Sequence, residues 1–92
     1  MKTRQKDRLR KLLTAALASG VLKPELADSA AEYLVTGALR DTAPCPREAE
    51  SPLGYAVWLA LAWSTVLVYD PARVEDSLYA LHKALKAEGI TI

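Results

Sequence analysis

The sequence predicts an all-α fold, a compact four-helix domain in which an apolar third helix is central. Residues 51–69 contain no charged side chain, and both tryptophans lie among them. On a helical projection the large side chains of this segment point in all directions, which is typical of a helix buried in a core, an interface or a membrane. Three other segments carry an apolar stripe at helical spacing, and no segment alternates as a strand does.

We therefore expect one domain over residues 1–92, with a proline-rich loop at 41–51 between the second and third helices. The predicted helices cover approximately these residues: 4–19, 24–40, 52–69 and 71–88.

The first helix is expected to begin at a Thr3 cap and to end at Gly20, with Val21 packing back on the last turn. Its side chains separate into an apolar face and a basic face. The apolar face consists of Leu9, Leu12, Leu13, Ala16 and Leu17.

The second helix is expected to begin at Pro24, where the missing N–H of proline is not needed. Its predicted buried side is rich in small residues that allow close approach of another helix, namely Ala27, Ala30, Ala31, Gly37 and Ala38. Its predicted solvent side consists of Ser29, Glu32, Thr36 and Arg40.

The third and fourth helices are expected to share one type of start, with a capping residue followed by proline. Ser51 precedes Pro52, and Asp70 precedes Pro71. Gly89 is expected to end the fourth helix. The apolar stripe of the fourth helix consists of Val74, Leu78, Leu81 and Leu85, on which Ile90 can fold back.

The third helix is also long enough to be considered as a membrane span, since 19 uncharged residues extend about 28 Å. Gly54, Ser64 and Thr65 reduce its hydrophobicity, and the tryptophans lie in its middle instead of at the interfaces. The three amphipathic helices also need a core partner. We expect the third helix to be buried in the core of the chain. The alternative left open is that part of its surface forms the interface of a homodimer.

Few residues in the chain are suited to catalysis or metal binding. His82 is the only histidine and is expected at the edge of the apolar stripe of the fourth helix, while Cys45 is the only cysteine and lies between two prolines. One histidine and one cysteine do not make a zinc site, and no glycine-rich phosphate loop is present. We expect no enzyme activity, no cofactor and no metal site.

The charge of the chain is asymmetric. Residues 1–12 contain six basic residues against one acidic residue, a balance of +5, whereas the remainder has six basic against ten acidic, a balance of −4. Exposed Lys and Arg side chains either keep a helix in water or contact phosphates, an acidic protein or acidic lipid. The candidate contact residues are Arg4, Arg8, Arg10 and Lys11.

A helix-turn-helix arrangement of the first two helices is not favoured, because the second begins with Glu25 and Asp28 where base-reading side chains would be needed. Tyr55 and Tyr69, near the two ends of the apolar helix, are candidate interface residues, since tyrosine combines an apolar ring with a hydroxyl that stays in water. Core positions, from which the hydroxyls reach the surface, are the favoured interpretation of both tyrosines, and the interface is the alternative.

These features predict a small non-catalytic protein–protein interaction module in the cytoplasm: a subunit, adaptor, regulator or inhibitor of a larger complex, with a homo-oligomer as an open alternative. The second hypothesis is a nucleic-acid-associated helical protein that contacts phosphates through its basic first helix. The single cysteine excludes an internal disulfide and fits a reducing compartment.

Overall fold

The computed structural model describes residues 3–37, 51–64 and 70–92. Within them the chain forms four α-helices and no strand, which confirms the predicted fold class. The helices are α1 (Thr3–Ala18), α2 (Pro24–Thr36), α3 (Pro52–Trp63) and α4 (Pro71–Ala87). The proline-rich loop, including Cys45, lies outside the described residues.

The starts of α3 and α4 are as predicted, with a side-chain cap followed by proline at the first helical position. The Ser51 hydroxyl accepts a hydrogen bond from the backbone N–H of Gly54 at 3.0 Å. The Asp70 carboxylate accepts from the N–H groups of Ala72 and Arg73 at 3.1 and 3.4 Å. Each cap therefore satisfies N–H groups that have no partner within the helix.

The ends of α1 and α4 also follow the prediction. Gly20 and Gly89 adopt left-handed backbone conformations with φ of 70° and 78°. The N–H of Ile90 donates to the carbonyl of Leu85 at 3.0 Å. This bond folds the chain back on the last turn of α4, as glycine-terminated helices commonly do.

The predicted end of α2 at residue 40 is wrong. Gly37 adopts φ of 74° and donates its N–H to the carbonyl of Tyr33 at 2.7 Å, so α2 ends at Thr36. Glycine takes this conformation without the steric cost that a side chain would add. Gly37 therefore terminates the helix instead of packing inside it, and residues 38–40 lie outside the described residues.

The last described residue of α3 is Trp63, followed by Ser64 in a turn. The N–H of Ser64 donates to the carbonyl of Leu61, and its hydroxyl donates to the carbonyl of Ala60. The side chain thereby takes the acceptor that the backbone N–H would use in a continuing helix. The predicted extension over 65–69 lies outside the described residues.

The core contains the predicted stripes of α1 and α4. Leu17 is partly exposed and packs against the edge of this core. The fully or nearly fully buried apolar side chains of α1, α3 and α4 are Leu9, Leu12, Leu13, Ala16, Leu53, Ala56, Val57, Ala60, Leu61, Val74, Leu78, Leu81 and Leu85. α2 adds Leu26, Ala30 and Tyr33.

The helix contacts give α3 a central position that it shares with α1. Each of these two helices contacts the other three, whereas α2 and α4 share no contact in the described part of the chain. The Cα radius of gyration is 11.7 Å, close to the roughly 12 Å expected of a compact domain of this length.

Three side chains lie where the sequence did not place them. Ser29 was expected in water but is only 1% exposed, because its hydroxyl donates to the carbonyl of Glu25 at 3.0 Å. Ala31 is exposed instead of buried. Val21 is 43% exposed, and Leu22 packs against the core in its place.

Among the helices described, none has both the length and the apolar character required to cross a membrane.

Candidate interaction surfaces

The side of α3 that faces away from the core carries no charged residue. Tyr55 on this side is 48% exposed. The residues of α3 that are exposed or partly exposed are Pro52, Tyr55, Trp58, Leu59, Ala62 and Trp63, and we call them the outward face of α3. The neighbouring helices therefore cover one side of the apolar helix and leave an aromatic and aliphatic surface on the other.

The outward face of α3 has the spacing of a helix-packing seam. Pro52, Tyr55, Leu59 and Ala62 follow one another at intervals of three, four and three residues. This is the heptad spacing at which one helix presents a continuous apolar line to another. A seam on the opposite side of α3 packs into the core of the chain, so α3 has two apolar seams and fills only one of them internally.

A groove of about 490 Å³ runs between α3 and α4 beside the outward face. It is lined by Leu59, Trp63, Arg73, Asp76, Ser77 and Ala80. At one end the Arg73 guanidinium lies 4.4 Å from the centre of the Trp63 ring and 3.6 Å from the Asp70 carboxylate. These contacts orient the Trp63 ring at that end of the groove.

The basic residues of α1 do not form a single patch. Arg4, Lys6, Arg10 and Lys11 are exposed, and none forms an ion pair with another described residue. On the helical projection Arg4 and Lys11 lie on one edge, whereas Lys6 and Arg10 lie on the other. The exposed Asp7 falls between the two edges and lowers the positive potential there.

Arg8, the remaining predicted basic contact, connects α1 to α4. Its guanidinium donates to the Glu75 carboxylate at 3.3 Å. The side-chain amide of Gln5 donates to the other carboxylate oxygen of Glu75 at 3.1 Å and to the carbonyl of Pro71 at 3.2 Å. Arg8 therefore has an ion pair that Arg4, Lys6, Arg10 and Lys11 do not make with any described residue.

The Tyr33 hydroxyl is buried between the helices and makes no hydrogen bond with another described residue. Burial raises the pKa of this hydroxyl above its ordinary value of 10.0, and the positive charge of Arg10 offsets part of the increase. The group stays protonated, so it is an uncharged polar atom in the core with an unmet hydrogen bond.

The described residues contain no group of three or more His, Cys, Asp or Glu side chains that could hold a metal ion. His82 is partly exposed at the edge of the α4 stripe, as predicted. Tyr55 lies on the outward face of α3 and is 48% exposed, so the core position favoured for it is wrong, and Tyr69 lies outside the described residues.

Sequence reasoning missed the groove and the two-sided character of α3. Trp58, Leu59 and Trp63 were assigned to a helix that is apolar all round, and Arg73 and Asp76 were given no role. The signal was present in the heptad spacing of the outward face, but no polar residue in α3 distinguishes its exposed side from its buried side.

Comparison with known proteins finds no matching family model, no similar curated protein and no similar solved structure.

Proposed function

We propose that this protein is a non-catalytic protein–protein interaction module and that it binds through the outward face of α3. A single observation carries the proposal: every exposed or partly exposed residue of α3 is apolar or aromatic, from Pro52 to Trp63. Contiguous apolar surface of this kind marks interaction sites, whereas isolated exposed apolar residues do not.

The composition of the surface supports a protein partner. Tyrosine and tryptophan are enriched at the centres of protein interfaces and charged residues are depleted there. Tyr55, Trp58 and Trp63 supply the aromatic area, and the charged Arg73 and Asp76 stand at the side, where a polar rim is expected. A partner that covered Tyr55 and Leu59 would remove apolar area from water, which is the main favourable term in association.

The proposal places the protein in the cytoplasm as a subunit, adaptor, regulator or inhibitor of a larger assembly. The reducing compartment is supported by the single cysteine, which leaves the chain without an internal disulfide.

A photoreactive phenylalanine analogue at position 55 tests the proposal in cells that produce the protein. We expect position 55 to cross-link to protein, and we expect no adduct from the same analogue at position 35. Val35 is the matched control, because it is an apolar residue that is 84% exposed on α2. Equal adducts at the two positions, or none at position 55, would contradict the proposal.

The second candidate is backbone contact with nucleic acid through α1. It is favoured by the exposure of Arg4, Lys6, Arg10 and Lys11 without ion pairs to other described residues. Their division into two edges around Asp7 supports a weaker, less directed contact than one continuous basic stripe would make.

Labelled DNA and RNA duplexes and single strands at low salt test this alternative by fluorescence anisotropy. The double variant Arg4→Glu/Lys11→Glu should lose binding, whereas Lys83→Glu/Lys86→Glu on α4 makes the same change in net charge and should keep it. Arg8 is left unchanged because it holds Glu75. No binding by the unaltered protein at low salt would remove the alternative.

A further inference from the structure

We infer that the outward face of α3 packs against the same face of a second copy of this chain, in an antiparallel arrangement about a two-fold axis that crosses this face at the level of Val57 along the helix. The inference rests on the proposed function, because it names the partner for the same surface. It follows from the spacing of the seam and from the charges that flank it.

The spacing of the seam is the same in both chain directions. Pro52 and Ala62 lie five residues on either side of Val57, and Tyr55 and Leu59 lie two residues on either side. In an antiparallel pair centred there, Tyr55 of each copy meets Leu59 of the other, and Pro52 meets Ala62. A two-fold interface must be complementary to itself, and this seam meets that requirement.

The exposed charges of the other helices favour the same surface for contact with a second copy. A two-fold axis on α1 would bring exposed arginines and lysines against themselves, and like charges in contact oppose association. The exposed positions of α2 include Glu25 and Asp28, and those of α4 include both signs. Among the described helices, only α3 presents to a second copy a face that has no charged residue.

The edge of α4 adds a charge match to the same arrangement. Trp63 lies beside Arg73, and Leu59 shares the groove with Asp76 and Ala80, so α3 and α4 run antiparallel. Lys83 is two turns beyond Asp76 on the same side of α4, and both are exposed. Because α3 and α4 are antiparallel, with Trp63 level with Arg73, Asp76 lies on one side of the level of Val57 along the helix axis. Lys83 lies about as far from that level on the other side.

The two-fold axis therefore brings Asp76 of one copy level with Lys83 of the second copy, twice in each dimer. Two exposed residues lie between them along α4: the small Ala80, which lines the groove, and Tyr79, whose ring centre is 6.0 Å from the Lys83 ammonium. Opposite charges at the rim add specificity for this register more than they add affinity.

The decisive experiment measures mass by sedimentation equilibrium from micromolar to submillimolar protein, with variants that change the seam or the rim. The unaltered chain should approach twice the 10.0 kDa mass of one chain. Tyr55→Asp should weaken the dimer at least about hundredfold, since it buries two carboxylates against Leu59. Val35→Asp on α2 should dimerise normally, and circular dichroism checks that each variant is folded.

The rim is tested by reversing charges. Asp76→Lys alone and Lys83→Asp alone each bring like charges together, and each should weaken the dimer on the order of tenfold. An equimolar mixture of the two variants brings only opposite charges together across the axis and should restore the dimer. These positions are exposed, so the result does not depend on a change in the core.

A monomer at every concentration would overturn the inference, as would a dimer that Tyr55→Asp leaves unchanged or a mixture no stronger than its components. The proposed function is judged separately by the cross-link at position 55. A monomeric chain that still cross-links there to a different protein would refute only the second copy, whereas a monomer with no such adduct would refute both.

Discussion

α1 and α3 occupy similar positions in the fold but present opposite surfaces to solvent. Each contacts the other three helices, and each buries an apolar stripe in the same core. The solvent side of α1 carries arginine and lysine, whereas that of α3 carries tyrosine, tryptophan and leucine. The core therefore accounts for one side of each helix, and the two outer sides differ in chemistry, charged in α1 and apolar in α3.

The first prediction concerns the buried sides of α1 and α3. Leu13→Ala in α1 and Leu61→Ala in α3 should each lower the free energy of unfolding by about 2–5 kcal/mol, because both side chains are fully buried. Chemical denaturation of the dilute protein measures this. Leu59→Ala, on the outward face, is the control and should cost about 1 kcal/mol or less. Equal losses of unfolding free energy in Leu59→Ala and Leu61→Ala would show that both sides of α3 are buried.

The second prediction concerns the attachment of α1 to α4. Gln5 is only 4% exposed, and its amide donates to Pro71 and Glu75. Gln5→Ala should therefore lower the free energy of unfolding by about 1–3 kcal/mol, since it removes two hydrogen bonds that are each worth about 0.5–1.5 kcal/mol. Lys6→Ala, at the neighbouring exposed position, should have almost no effect. A neutral Gln5→Ala would mean that the buried amide does not join the two helices.

The third prediction concerns the unpaired hydroxyl of Tyr33. Tyr33→Phe should raise the free energy of unfolding by about 1 kcal/mol at neutral pH, because the buried hydroxyl has no hydrogen-bond partner among residues 3–37, 51–64 and 70–92. A destabilised Tyr33→Phe would contradict the account, because it would show that the hydroxyl does have a partner.

The same residue predicts a dependence on alkaline pH. Burial raises the folded-state pKa of Tyr33 above 10.0, so above pH 10 the unfolded chain loses this proton while the folded chain keeps it. The contribution of Tyr33 to the free energy of unfolding is therefore constant below pH 10 and decreases as the pH rises from there through the folded-state pKa. The advantage of Tyr33→Phe over the unaltered protein should grow over that range, and denaturation at several pH values measures it.

The smallest expected effects concern the two outer surfaces. Arg4→Ala with Lys11→Ala, and separately Tyr55→Asp, should each change the unfolding free energy of the dilute protein by about 0.5 kcal/mol or less. Thermal unfolding at low protein concentration measures this. A large loss in Tyr55→Asp under these conditions would assign Tyr55 to the core instead of to an interface.

Much of the fold could be predicted from local pattern. The stripe from Val74 to Leu85 and the caps at Ser51 and Asp70 are confirmed, because spacing and capping chemistry are local properties. Ser29 was misplaced because a serine hydroxyl can bond to its own helix and then be buried, a choice that packing decides.

The outward face of α3 could not be predicted in the same way. In α1 and α4 charged residues mark the solvent side, whereas in α3 both sides are apolar and only the neighbouring helices decide which is covered. Gly37 is a similar case, because a small residue suits both a close helix contact and a helix end, and the backbone conformation decides between them.

The most direct test of the outward face uses its own tryptophans. Trp58 and Trp63 are the only two in the chain, and both lie on α3, so quenching of their fluorescence by acrylamide reports how far that face is open to solvent. The account predicts that quenching falls as protein concentration rises through the dimer transition and stays high in Tyr55→Asp. Quenching that is the same at every concentration would contradict it, because the outward face would then remain in water.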